Sequence, residues 1–185
     1  MISETINRIL TSIVLFPVLL FCIYYSGIYF IIFLSIIYFL SSYEIIKNSR
    51  SFLFNLFSNV ILIFALFSFY YLRGNTDYTF IIIYWILIST FLSDIGGYVF
   101  GKTFKGKKLT KISPNKTYSG SIGGLFLSIF SLPVTNLSEQ FLFNETFINF
   151  YQLKYFLLTI LISIVCQIGD IYVSFWKRKI NIKNI

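Results

Sequence analysis

From Ile9 to Tyr43 the chain carries no charged residue, an unbroken run of 35. As one helix rising about 1.5 Å per residue it overshoots a hydrocarbon core of about 30 Å, so it reads as two membrane spans joined near Ser26 and Gly27. Further charge-free runs cover Ser51–Leu72, Tyr78–Ser93, Thr117–Ser138 and Tyr155–Gly169. Those ending at Ser93 and Gly169 continue in apolar residues past a single Asp. Six spans are therefore expected in an all-α, polytopic integral membrane protein, with residues 1–185 as a single membrane-embedded domain. The charged fraction of 12% agrees, since a soluble domain carries about 25%. The stretch "ILTSIVLFPVLLFCIYYSG" after Arg8 is longer than the apolar region of a signal peptide and leads directly into a second apolar run, so a retained helix is expected.

The placement of basic residues sets an orientation, because cytoplasmic loops hold the excess Lys and Arg. With the N-terminus inside, six spans put Arg8, then Lys47 and Arg50, then the lysines at 102, 105, 107, 108, 111 and 116, then Lys177, Arg178, Lys179 and Lys183 on one side, 13 of the 15 cations. Arg73 and Lys154 fall on the other, among Asp77, Glu139 and Glu145. Both termini are expected to be cytoplasmic. The net charge of +8 reads as topology and contact with anionic phosphate, and no nucleic-acid partner is expected. Cys22 and Cys166 both fall in spans without metal-type spacing and read as small packing residues. The sequence holds no His, which removes His-based acid–base chemistry and His metal ligands.

Two acids interrupt apolar runs, Asp94 in "TFLSDIGGYVF" and Asp170 in "IVCQIGDIYVSFW". An ionisable group within a span costs on the order of 3 kcal/mol on insertion scales, so its default reading is functional; the bland alternative puts each Asp at the helix–water boundary. Both spans run outside to inside, so both acids are expected near the inner ends, level with the lysine-rich face. Beside Asp94, "GGYVFGKT" (Gly96 to Thr103) fits the phosphate-loop pattern G-x-x-x-x-G-K-[ST] letter for letter. Its context does not fit: no short buried strand precedes it, no amphipathic helix follows, and Tyr98, Val99 and Phe100 are bulky where backbone must approach a ligand.

The connection between the fourth and fifth spans, "GKTFKGKKLTKISPNKTYSGSIGG", combines six Lys with interleaved Ser, Thr and Gly. A purely topogenic loop touching anionic lipid explains the charge. The hydroxyls and glycines of "SPNKT" and "SGSIGG" suit contacts with several phosphate groups. Two acids near such a loop, without a nucleophilic Cys or His, suggest phosphoryl or nucleotidyl transfer assisted by a divalent metal.

These residues resemble the phosphatidate cytidylyltransferase (CDP-diacylglycerol synthase) family along nearly the whole chain. "INRILTSIVLFPVLL" is similar to that family's N-terminal R-x-x-[ST]-[AG]-x-x-L-x-P segment, and "SYEIIK" sits at its Trp-Glu or Tyr-Glu pair. "SDIGGYVFGKTFKGKKLTKISPNKTYSGSIGG" is similar to its long D-[ST]-[GA]-A-Y to K-T-x-E-G-x-x-G-G block, and "GDIYVSFWKRKINIKN" to the start of its C-terminal signature. The resemblance implies Asp170 as a metal-binding carboxylate, with Mg²⁺ as cofactor, and Asp94 as part of the polar site. Lys102, Lys107, Ser113, Lys116 and Thr117 would contact CTP phosphates or the phosphatidate head group, with Lys116 also counted among the catalytic residues. Ser174, Lys177 and Arg178 would complete the site. The implied reaction is attack by the phosphatidate phosphate on the α-phosphorus of CTP, giving CDP-diacylglycerol and pyrophosphate, at the inner (cytoplasmic) membrane; a homodimer is compatible with it.

The chain also departs from that pattern. Ser119 and Val173 stand where the family has Glu, Asn184 where it has Asp, and Trp176 at an aliphatic position. The sequence given ends at Ile185, before the family's Pro-Gly-His-Gly-Gly and Asp-Arg-x-Asp blocks, so a truncated or split member is expected, with an inactive fragment that needs a C-terminal partner as one alternative. A small transporter or channel subunit, with the two acids on an ion pathway, is the other.

Overall fold

The computed structural model describes residues 2–48, 52–110, 113 and 116–179, with side chains described between 14 and 175. Among the described residues seven helices follow one another: α1 (Ile2–Tyr25), α2 (Gly27–Asn48), α3 (Phe52–Arg73), α4 (Asp77–Phe104), α5 (Tyr118–Ile129), α6 (Ser131–Phe143) and α7 (Leu153–Lys179). Helix is what such a sequence must form in lipid, where every backbone N–H and C=O needs a partner within its own segment. Among the described residues five stretches are long and apolar enough to cross a membrane, α5 and α6 counting as one, and Val14–Tyr25 adds a shorter apolar helix. The chain is an all-α integral membrane protein, and most of its large apolar side chains face outward, where a soluble protein would bury them.

The chain divides into two compact units, Met1–Phe80 and Ile81–Ile185. In the first, α1 ends where the sequence suggests, because Ser26 and Gly27 adopt left-handed φ values of 54° and 56°. Arg73, at the end of α3, is 3% exposed. Its guanidinium donates to the carbonyls of Ile23 and Tyr24, two of the acceptors that the last turn of α1 leaves without a helical partner. It also lies 5.6 Å from the Phe80 ring. The cation that the topology reading set apart is thus a helix-end clamp.

In the second unit α4 runs on through Phe104, a difference from the sequence reading, which placed Gly101 to Phe104, and Lys102 with them, in a loop. The phosphate-loop look-alike is therefore helical along its length. The expected fifth span, Thr117 to Ser138, divides into α5 and α6 at Phe130. Pro133 has no N–H to give to the carbonyl of Ile129 four residues back, which explains the break. Glu139, expected at the outer boundary, is fully buried. It accepts the N–H groups of Phe147 and, at 3.0 Å, Ile148, and so ties the connector before α7 to α6.

Hydroxyl pairs and glycine contacts hold the helices of this unit together. Ser89 on α4 donates to Ser131 on α6 at 2.8 Å, and Tyr84 and Ser138 pair at 3.2 Å. Ser93 on α4 and Ser163 on α7 pair at 2.6 Å. Between α4 and α5 the contact is backbone on backbone. A Cβ on Gly120 would come to 2.6 Å from the Gly97 carbonyl, one on Gly124 to 2.8 Å from the Ser93 carbonyl, and one on Gly96 would strike Gly123. Small residues permitting this approach are what drives helix association where lipid removes the hydrophobic force.

Candidate active site

The connection from α4 to α5 begins with a reversal at Lys105 and Gly106, both at positive φ, 48° and 121°. It then folds back on itself as a short antiparallel turn. Lys108 bridges to Thr117, the Leu109 N–H donates to the Lys116 carbonyl at 2.8 Å, and the Tyr118 N–H donates to the Lys107 carbonyl at 3.1 Å. This returns Lys116 and Thr117 to the start of α5. Thr117 is the N-cap: its backbone is extended, and its hydroxyl accepts the Gly120 N–H at 3.1 Å. Ser119, at a position where the resembling family has Glu, donates to the Lys105 carbonyl at 2.6 Å and closes the base of the turn.

Beside this turn lies a cavity of about 240 Å³. Helix α4 gives it Ser93, Asp94, Gly97 and Tyr98, the turn gives Leu109, Lys116 and Thr117, and α5 and α7 add Gly120, Ser121, Gln167 and Asp170. The two carboxylates reach it for a common reason. Asp94 is 17 residues after Asp77 at the start of α4, and Asp170 is 17 residues after Leu153 at the start of α7. Each has risen about 26 Å along its helix, close to the thickness of a hydrocarbon core.

Lys116 Nζ donates to Asp170 Oδ2 at 2.8 Å, with the two side chains 28% and 54% exposed. It also makes a long contact of 3.5 Å to the Gln167 carbonyl. An ion pair this exposed is worth about 1 kcal/mol or less, so Lys116 can exchange partners at little cost. Asp94 Oδ1 accepts from the Cys166 thiol at 3.7 Å. Two carboxylates face one ammonium here, a donor set suited to a cation that arrives with an anionic ligand.

Of the residues singled out in the sequence, Asp94, Lys116, Thr117 and Asp170 come together around this cavity. Lys102, Lys107, Ser113 and Ser174 are not among its lining residues. Lys102 is in the last turn of α4, its Nζ 3.4 Å from the Tyr98 hydroxyl and 5.5 Å from the ring centre. Lys107 contributes its backbone carbonyl to the turn, where it accepts the Tyr118 N–H. Ser113 is buried and shapes the turn, its N–H donating to Thr110 Oγ1 and its carbonyl accepting from Lys116 N–H, both at 3.1 Å. Ser174 donates back to the Asp170 carbonyl at 2.7 Å, along its own helix. Lys177 and Arg178 continue α7, but their side chains lie outside the described ones. The glycines of "SGSIGG", read in the sequence as donors for phosphate, pack helix against helix, and the N–H of Gly120 is taken by Thr117.

Charge-based reading missed Gln167, Ser93, Ser121 and Ser163. Their signal was spacing: on α7 the polar positions 163, 167, 170 and 174 recur every three or four residues and so share one face.

Residues 48–185 match the model of the cytidylyltransferase family. The chain is 35% identical over 88 residues to the phosphatidate cytidylyltransferase of Rickettsia conorii, covering 45% of this chain and 36% of that protein. It is 36% identical over 116 residues to that of Staphylococcus haemolyticus, covering 62% of this chain and 42% of that one. With the Staphylococcus aureus protein it is 39% identical over 106 residues, covering 56% and 37%. The chain thus spans about two fifths of the length of the curated relatives it matches. No solved structure gives a significant match. With the match reaching from the end of α2 through α7 and taking in the whole cavity, the chain belongs to the cytidylyltransferase family.

Proposed function

We propose that this chain carries the transfer of a cytidylyl group from CTP to phosphatidate, forming CDP-diacylglycerol and releasing pyrophosphate. The observation that carries the reading is the convergence of Asp94, Asp170 and Lys116 on one cavity in membrane-spanning helices, in a chain whose relatives are named for that activity. A site within membrane helices suits a reaction between a lipid phosphate and a water-soluble nucleotide. We place this cavity toward the cytoplasm, the side to which the basic residues assign the α4–α5 turn.

The donor set fits Mg²⁺. That ion is commonly held by one or two carboxylates plus substrate phosphates, and among the described residues no group of three His, Cys, Asp or Glu is available to build a fuller cage. Asp94 and Asp170 would hold it. When bound, Mg²⁺ polarises phosphoryl oxygens and offsets their charge.

The remaining work falls to side chains of this chain. Lys116 leaves Asp170 for a phosphate oxygen as the nucleotide enters, which keeps one positive charge at the reacting phosphates. Thr117 holds the first turn of α5 and so fixes where Lys116 emerges. A phosphatidate oxygen then bonds to the α-phosphorus, the bond from that phosphorus to the bridging β-oxygen breaks, and pyrophosphate departs with that electron pair. No covalent enzyme intermediate is needed, so the chemistry rests on positioning and charge.

The test is CTP-dependent pyrophosphate release by the purified chain in phosphatidate micelles with Mg²⁺, beside Asp170→Asn. Activity that falls about a thousand-fold in the variant supports the reading. Equal rates in both proteins overturn the role of Asp170. Absence of release from the parent chain counts against nucleotidyl transfer by residues 1–185 alone.

A further inference from the structure

We propose that Gln167 is the positioning residue of this site, the part that fixes α7 against α5 and α4 so that Asp170, Lys116 and Asp94 meet; the role rests on the nucleotidyl-transfer reading above. Every polar group of its side chain is engaged. The Oε1 accepts from the Ser121 hydroxyl on α5, while Nε2 donates to the Ser121 carbonyl at 3.1 Å and to Ser163 Oγ at 3.4 Å. An amide that gives and takes on the same serine admits one register between the two helices, because sliding by one residue breaks both bonds. Ser163 then pairs with Ser93 at 2.6 Å, and Ser93 precedes Asp94 in the chain. The series from Ser121 through Gln167 and Ser163 to Ser93 therefore crosses three helices and ends beside one catalytic carboxylate.

The other carboxylate is tied to the same residue. Asp170 stands three positions after Gln167, on the same face of α7, and Lys116, which pairs with Asp170, also approaches the Gln167 carbonyl. The seam closes only because Gly124 has no side chain: a Cβ there would lie 2.9 Å from Gln167 Nε2. In an apolar surrounding an amide satisfied on all sides specifies one arrangement, whereas a partly satisfied one is costly. Gln167 has no need to touch substrate; it acts through the placement of Asp170 and Lys116.

Two variants test this. Gln167→Met keeps length and volume without polar atoms, and Gln167→Glu keeps the acceptor for Ser121 while losing both donors. In the micelle assay Gln167→Met is expected to lower kcat about tenfold or more with KM for CTP within about twofold. Gln167→Glu is expected to fall between it and the parent. Thermal melting in detergent should stay within a few degrees for both.

A second readout needs no turnover. In a Cys22→Ala background, alkylation of Cys166 by a small water-soluble maleimide reports whether α7 keeps its place against Asp94, to which that thiol donates. Gln167→Met is expected to raise the labelling rate about fivefold with melting unchanged. Labelling at the parental rate, or a lower kcat accompanied by a raised KM and earlier melting, overturns the proposal. If the parent shows no CTP-dependent release, nucleotidyl transfer by residues 1–185 alone fails and the labelling result decides the role of Gln167.

Discussion

The two units use the same kinds of polar residue for opposite ends. In the first, two serine hydroxyls within the spans turn back on their own helices, Ser35 donating to the Ile31 carbonyl and Ser68 to the Phe64 carbonyl, each at 2.8 Å, while Ser26 at the joint between α1 and α2 reaches the Gly74 carbonyl at 3.1 Å. The groove between α2 and α3, about 620 Å³ and lined by side chains such as Leu34, Tyr38, Ile63 and Phe67, is almost wholly apolar. In the second unit Ser128, Ser138 and Ser174 also bond their own helices, but Ser89, Ser93 and Ser121 reach across to neighbouring ones, and the cavity that Ser93 and Ser121 line is smaller and carries charge. Lipid tails satisfy the first arrangement, while the second adds polar contacts between neighbouring helices. The charged cavity thus lies where Ser93, Ser121 and Gln167 bridge neighbouring helices.

Three substitutions sharpen or break that contrast. Lys116→Met is expected to have the largest effect, lowering kcat/KM about a hundred-fold, or about 2.7 kcal/mol, with melting little changed. A drop in melting with catalysis intact would show Lys116 to be a strut for Asp170 instead. Arg73→Leu should do the reverse. Losing the donors to the Ile23 and Tyr24 carbonyls costs about 1–3 kcal/mol of stability, read as earlier melting in detergent, while the turnover of the protein that stays folded remains parental. A catalytic defect at full stability would dissolve the division of labour between the units. Lys102→Ala is expected to be mildest, within about threefold in kcat/KM, because Lys102 is not among the lining residues and touches the cavity only through its contact with Tyr98. A loss near that of Lys116→Met would return Lys102 to the site.

The spans were legible because a run without charge has few alternatives in a chain this apolar, and Ser26 with Gly27 marked the joint that left-handed backbone provides. The far end of α4 was not. Gly101 and Lys102 read as loop on propensity, yet the glycines there are helical and serve close packing against α5. Nor was the break at Phe130 legible, since Pro133 is compatible with either a helix start or a kink. At the site, charge exposed Asp94, Asp170 and Lys116. It was silent on Gln167 and its serines, whose residue types are the same as those of Ser35 and Ser68 in the first unit. Beyond the three- and four-residue spacing of polar positions on α7, only the neighbour on the adjacent helix distinguishes them, and residue type does not reveal it.

The glycine contact between α4 and α5 also fixes which positions can vary. At Gly96, Gly120, Gly123 and Gly124 even a methyl group meets backbone or a packed side chain at less than van der Waals distance, so in a saturation library alanine should be depleted there along with larger residues. Lys105 and Lys108, exposed on the turn, should accept many replacements. The positions least open to change would then be those with no side chain, and the route by which this protein could drift runs through its charged loop.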